Sequence, residues 1–125
     1  MKDLIKDAGN LLVTYCHKAS KDAGWWENKS GDLRDNPLII SNKLMLIVSE
    51  IAEAMEADRK SAMDDKLPHR RGIEVELADA VIRIADLAGA FNLDLGGAIA
   101  EKMAYNLTRA DHKLENRQAV GGKAY

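Results

Sequence analysis

Two short acidic spacings carry the most chemistry in this chain: Glu50-Ile51-Ala52-Glu53 and Glu76-Leu77-Ala78-Asp79. Three residues turn a helix through about 300°, so both acids of a pair leave nearly the same face. Like charges placed there repel and weaken the helix unless a cation lies between them. Two such pairs on separate, largely apolar helices point to a hard divalent cation. All-oxygen ligand sets suit Mg²⁺ or Mn²⁺ rather than zinc. One Glu-x-x-Glu says little, because most glutamates on helices are solvated surface charges. Two on consecutive helices, each bordered by small or apolar residues, say much more. Rival pairings exist: Glu53 with Glu56, and Arg83 with Asp86. Periodicity does not choose between Glu50 and Glu56 as the partner of Glu53, although Glu56 lies nearer the helix end and ranks lower.

A second set is cationic. Lys102, Asn106 and Arg109 follow at spacings of four and three, on one face of a helix that also carries Tyr105. A guanidinium fork, a point-charge ammonium and an amide along one stripe suit a polyphosphate. The plainer alternative is a solvated basic face near a helix C-terminus, where the macrodipole favours Lys and Arg. Trp25 and Trp26 fall in an irregular stretch. There one aromatic ring can stack on a nucleobase, for about 1–3 kcal/mol, or close over the core instead. His17, His69 and His112 show no ligand spacing. No nucleophile motif is present, and Gly96-Gly97 lacks the flanks of a phosphate-cradling loop.

The elements that must hold these residues read as helices. Leu4, Ile5, Ala8, Leu11, Leu12 and Tyr15 recur at three and four, predicting a helix over 2–21. Residues 23–40 lose the period and contain Gly24, Gly31, Asn36 and Pro37. A second helix is expected over 41–60 with Ser41 as N-cap and an apolar stripe of Leu44, Ile47, Val48, Ile51 and Met55. A polar link, 61–69, leads to a third helix over 71–90. Asp94 caps a fourth over 95–111, with Ile99, Met103 and Leu107 on one side. The expected fold is all-α: an antiparallel bundle of about four helices, one domain over 1–114, with a flexible polar tail over 115–125.

Composition narrows the class. The chain has 125 residues, enough for a real core, with 46% hydrophobic and 30% charged residues, which argues against disorder. A net charge of −2 leaves no nucleic-acid footprint. Cys16 is the single cysteine, so no internal disulfide forms, as suits a reducing cytoplasm. No signal-like or membrane-length apolar run is seen at the N-terminus, and no membrane association is expected.

Glu-x-x-Glu, a gap, Glu-x-x-Asp, then Lys-x-x-x-Asn-x-x-Arg resembles the all-α nucleoside triphosphate pyrophosphohydrolases, the MazG-like family. The resemblance runs over 43–109. It is most specific in Lys43-Leu-Met-Leu-Ile-Val-Ser-Glu50 and Leu77-Ala-Asp79-Ala-Val-Ile-Arg83; the Trp-Trp loop and the late Gly-Gly-Lys are looser echoes. It implies metal ligands at Glu50, Glu53, Glu76 and Asp79, with phosphate-side contacts at Lys102, Asn106 and Arg109. It implies Mg²⁺-dependent hydrolysis of a nucleoside triphosphate, or its deoxy form, to the monophosphate and pyrophosphate, in a homodimer or homotetramer. Glu53 is the expected base for the attacking water, and Trp25 and Trp26 are expected near the substrate. One departure is Ser49, where many members carry another acid; it bears on how many ions are held. The alternative reading is a non-catalytic helical module that binds nucleotides or a protein and keeps a vestigial acidic groove.

Overall fold

The computed structural model describes residues 1–125. It is all-α apart from one two-residue hairpin: α1 (Lys2–Asp22), β1 (Glu27–Asn28), β2 (Gly31–Asp32), α2 (Ile39–Arg59), α3 (Gly72–Ala90), α4 (Leu95–Asn106) and α5 (Leu114–Gln118). Single 3-10 turns occupy Leu33–Asp35 and Ala110–His112. The chain divides into two compact units, one of Leu11–Leu93 and one of Met1–Asn10 with Asp94–Tyr125.

Within the Leu11–Leu93 unit the central element is the α2–α3 hairpin. Ala57 lies against Gly72, Glu50 meets Arg83, and Ile39 packs with Leu87 and Ala90. Rising numbers on α2 therefore meet falling numbers on α3, and the helices are antiparallel. Trp26, Ile39, Leu87 and Ala90 form the buried cluster, with Leu33, Ile47 and Phe91 packed against it. Trp26 meets His17 and Phe91 edge-on, at ring-centroid distances of 5.9 and 6.1 Å. Such T-shaped contacts align the positive ring edge with the neighbour's negative face.

Three helices stop in the same way. Gly24, Ser61 and Asn92 have positive φ (84°, 49° and 54°). The next amide in each case reaches back five residues: Trp25 to Ser20, Ala62 to Ala57 and Leu93 to Ala88. This is the Schellman arrangement, which satisfies carbonyls left open at a helix end. The start of α2 differs from expectation. It begins at Ile39, and Ser41 sits inside the helix rather than capping it. Asn36 makes the entry instead: its side-chain oxygen accepts from the Leu38 amide at 2.9 Å, and its carbonyl accepts from Ile39 at 3.1 Å. Pro37 fixes its own φ between them, so the turn is set two residues early.

In the other unit, Asn10 Nδ2 donates to Asp94 Oδ1 at 2.9 Å, and its Oδ1 accepts from the Gly96 amide at 2.9 Å. Asp94 caps α4 as expected, accepting from Gly97 at 3.0 Å. However, α4 ends at Asn106 and does not run to 111. The Thr108 hydroxyl and amide both bond the Tyr105 carbonyl, at 2.8 and 2.9 Å. That local bonding competes with the helical ladder and closes the helix. Beyond it, residues 114–118 of the chain form α5.

Candidate metal centre

Antiparallel packing of α2 on α3 brings most of the two acidic pairs together. Glu50, Glu76 and Asp79 each present a carboxylate oxygen, and these three atoms lie within 4.8 Å of one another. Glu50 is buried at 8% exposure, while Glu76 and Asp79 are half-buried. Glu53 is exposed beside them, near enough for its charge and its carboxyl to act on Glu76. Glu56 turns elsewhere and pairs with Arg59 and Lys60 at 2.9 and 3.1 Å.

The electrostatics show an excess of negative charge. Burial pushes the Glu76 carboxyl up, a hydrogen bond to Glu50 and the charge of Glu53 add to it, and its pKa reaches about 7. Asp79 is raised by burial and then by the charge of Glu50, with Arg83 acting in the opposite direction. Burial also opposes the Glu50 charge. There, however, the Arg83 guanidinium, and after it the carboxyls of Glu76 and Glu53, hold it below the usual range. Arg83 Nε donates to Glu50 Oε1 at 2.9 Å. Arg83 is thus the one cation acting on Glu50 and Asp79, against the charges of Glu50, Glu53 and Asp64 that push the cluster's pKa values up.

The donor set fits a hard divalent ion. It is all oxygen, drawn from two helices, and burial with the neighbouring acids raises one member, Glu76, to about 7, where added positive charge would favour its ionised form. Ser49, at the position of the departure noted above, turns its hydroxyl back onto the Leu46 carbonyl at 2.6 Å. It offers nothing to the cluster.

The expected phosphate-side residues belong to the other unit. Lys102 Nζ lies 4.9 Å from the centroid of the Tyr105 ring, a cation–π contact. Asn106, at the end of α4, has a buried Oδ1 with no hydrogen-bond partner. Arg109 has left the helix because α4 stops early, so the single-face stripe of three does not form. Its Nε and Nη2 fork onto Asp111 at 3.0 and 2.6 Å.

The two tryptophans have different environments. Trp25 is 68% exposed, whereas Trp26 is 5% exposed and forms part of the core. The Trp26 indole N–H donates to Asp86 Oδ1 at 2.8 Å, the same oxygen that lies 2.9 Å from His17 Nδ1. Lys43 Nζ lies 4.6 Å over the Trp26 ring.

Sequence reasoning overlooked Arg83 as a counterion and the His17–Asp86–Trp26 group altogether. A signal for the latter existed: Asp86 interrupts the apolar run Ile84-Ala85-Leu87-Ala88 of α3, of which Ala85, Leu87 and Ala88 are buried. A charge set among buried apolar residues needs partners. Comparison with known proteins finds no matching family model, curated protein or solved structure.

Proposed function

We propose that this chain is a Mg²⁺- or Mn²⁺-dependent pyrophosphohydrolase of nucleoside triphosphates, yielding the monophosphate and pyrophosphate. The observation that carries the reading is the convergence of Glu50, Glu76 and Asp79 across α2 and α3, with their oxygens within 4.8 Å. The motif resemblance supplies the reaction class. When bound, the cation would neutralise charge on the phosphate oxygens and lower the pKa of an attacking water.

The chain's own groups supply the rest. Glu50, Glu76 and Asp79 would hold the ion, and Arg83 keeps Glu50 ionised and oriented. Glu53, exposed at the rim, is the base that takes the proton from water. Lys102, Asn106 and Arg109 are assigned to the triphosphate, and exposed Trp25 to the base. Trp26 supports that loop from within the core.

Assembly as a homodimer or homotetramer belongs to the same proposal. Leu44, Met45, Val48, Ile51 and Met55 on α2, with Leu77 and Val81 on α3, leave much apolar surface uncovered. Surface of that kind marks an interaction site. No helix is long and apolar enough to cross a membrane. A cytoplasmic location rests on the single cysteine.

The test is a panel of ribo- and deoxynucleoside triphosphates with Mg²⁺, scored for pyrophosphate against orthophosphate. Pyrophosphate from at least one substrate, lost in Glu53→Gln, supports the reading. No turnover across the panel, with the variant indistinguishable, rejects it. One observation favours the alternative of a non-catalytic module: Arg83 already occupies an oxygen of Glu50. Calorimetry separates the two, because a module binds nucleotide with metal and forms no product.

A further inference from the structure

The segment from Arg109 to Tyr125 folds back on itself around one carboxylate. Asp111 receives the Arg109 fork at 3.0 and 2.6 Å and the Lys123 ammonium at 2.9 Å. The fold-back is built by the late Gly-Gly-Lys. Gly121 takes φ +79° at the third position of a turn closed by the Gly122 amide on the Ala119 carbonyl, at 2.9 Å. That position of a type II turn requires a residue tolerant of positive φ. A Cβ on Gly122 would collide with the carbonyls of Asn116 and Arg117. Two successive glycines therefore let the chain pass tightly over the end of α5 and return Lys123 to Asp111. Asn116 ties α5 to the preceding turn by donating to the Ala110 carbonyl at 2.6 Å.

The result is a cavity of about 350 Å³ lined by Arg109, Asp111, His112, Arg117, Lys123 and Tyr125. Among the side chains that line it, Arg109, Arg117 and Lys123 bring three positive charges and Asp111 one negative. Arg117 has no ion pair, so its positive charge is uncompensated. A forked guanidinium and an ammonium converging on one acid is also the way proteins hold a phosphate.

We infer that this cavity is a binding site for a diphosphate-class anion, taken up by Arg109, Arg117 and Lys123 in place of the Asp111 carboxylate. The inference extends the phosphate-side role assigned to Arg109. Its test omits divalent cations, so its failure leaves the reading of the carboxylate cluster standing.

The full chain is titrated calorimetrically, without metal and at low salt, with inorganic pyrophosphate and separately with an α,β-methylene triphosphate analogue. Wild type binds at least one of them. Equal affinities identify the phosphates as the whole ligand, and a tighter analogue identifies the tail of a nucleotide. Arg117→Ala weakens binding about tenfold, the scale of one lost charge-assisted contact. Its thermal stability without ligand is unchanged, since Arg117 holds nothing else. Asp111→Asn removes the competing carboxylate and tightens binding, whereas a purely structural latch would lose its anchor and gain no affinity. Absence of binding by wild type, or Arg117→Ala binding as well as wild type, overturns the inference.

Discussion

Replacing Glu76 by Gln tests the charge balance of the α2–α3 cluster without touching the fold around it. The Glu76 carboxyl is displaced from an ordinary 4.5 to about 7, by burial first and then by Glu50 and Glu53. A carboxyl raised on folding contributes stability that is complete below its unfolded value and lost as pH rises through the folded one. The window is thus pH 4.5 to about 7, with the metal-free protein weaker above it. Taken whole, the displacement has a ceiling of about 3 kcal/mol. Glu76 is half-buried, and water and salt screen it to about 1–2 kcal/mol.

Gln carries no charge, and its amide can still donate to Glu50 as protonated Glu76 does. Metal-free Glu76→Gln should therefore match wild type near pH 4.5 and exceed it at pH 8 by about 1–2 kcal/mol, or about 4–8 °C in Tm. Mg²⁺ should act in the opposite sense. At ten times Kd it would stabilise wild type by about 1.4 kcal/mol, and the variant by much less. Thermal melts at the two pH values, with and without Mg²⁺, contain both comparisons. Equal metal-free melts at pH 8, or an equal response to Mg²⁺, would refute the reasoning.

Other perturbations have calculable outcomes. Arg83→Met removes the only cation on buried Glu50 and should cost about 2–3 kcal/mol without metal, partly recovered by Mg²⁺ in urea titrations. Asp86→Ala strands the Trp26 indole N–H and the His17 ring nitrogen, for about 2–4 kcal/mol; its urea midpoint should fall together with a loss of near-ultraviolet tryptophan ellipticity. Because Glu76 must lose its proton to bind a cation, apparent Mg²⁺ affinity should rise from pH 6 to 8 and then level, as read by calorimetry. Gly96→Ala would drive a methyl into the Lys6 carbonyl and the Asn10 side chain. An overpacking cost of about 1–3 kcal/mol is expected in thermal unfolding.

Much of the site scaffold was legible from spacing alone. The helical period located α1, α3 and the start of α4 to within a residue or so. An antiparallel α2–α3 hairpin is the arrangement in which the two acidic pairs meet. What stayed hidden depends on long-range register or on side-chain competition with the backbone. Arg83 reaches Glu50 across 33 residues, and His17 reaches Asp86 across 69. Neither pairing leaves a trace in local periodicity. The early end of α4 goes with the hydroxyl and amide of Thr108, both on the Tyr105 carbonyl, in a sequence whose apolar pattern continues to Leu107. Trp25 and Trp26 are neighbours with identical propensities, and tertiary contacts distinguish them: the core made by Ile39 and Leu87, and the Asp86 carboxylate that accepts from the Trp26 indole.

The central claim is that the Glu50–Glu76–Asp79 cluster serves cleavage of a triphosphate between its α- and β-phosphates. Phosphorus NMR of nucleoside triphosphates incubated with the protein and Mg²⁺ tests it most directly. The account predicts paired growth of monophosphate and pyrophosphate resonances from at least one nucleotide, abolished by Asp79→Asn. Orthophosphate with a nucleoside diphosphate, or spectra that stay unchanged for every nucleotide, would contradict it.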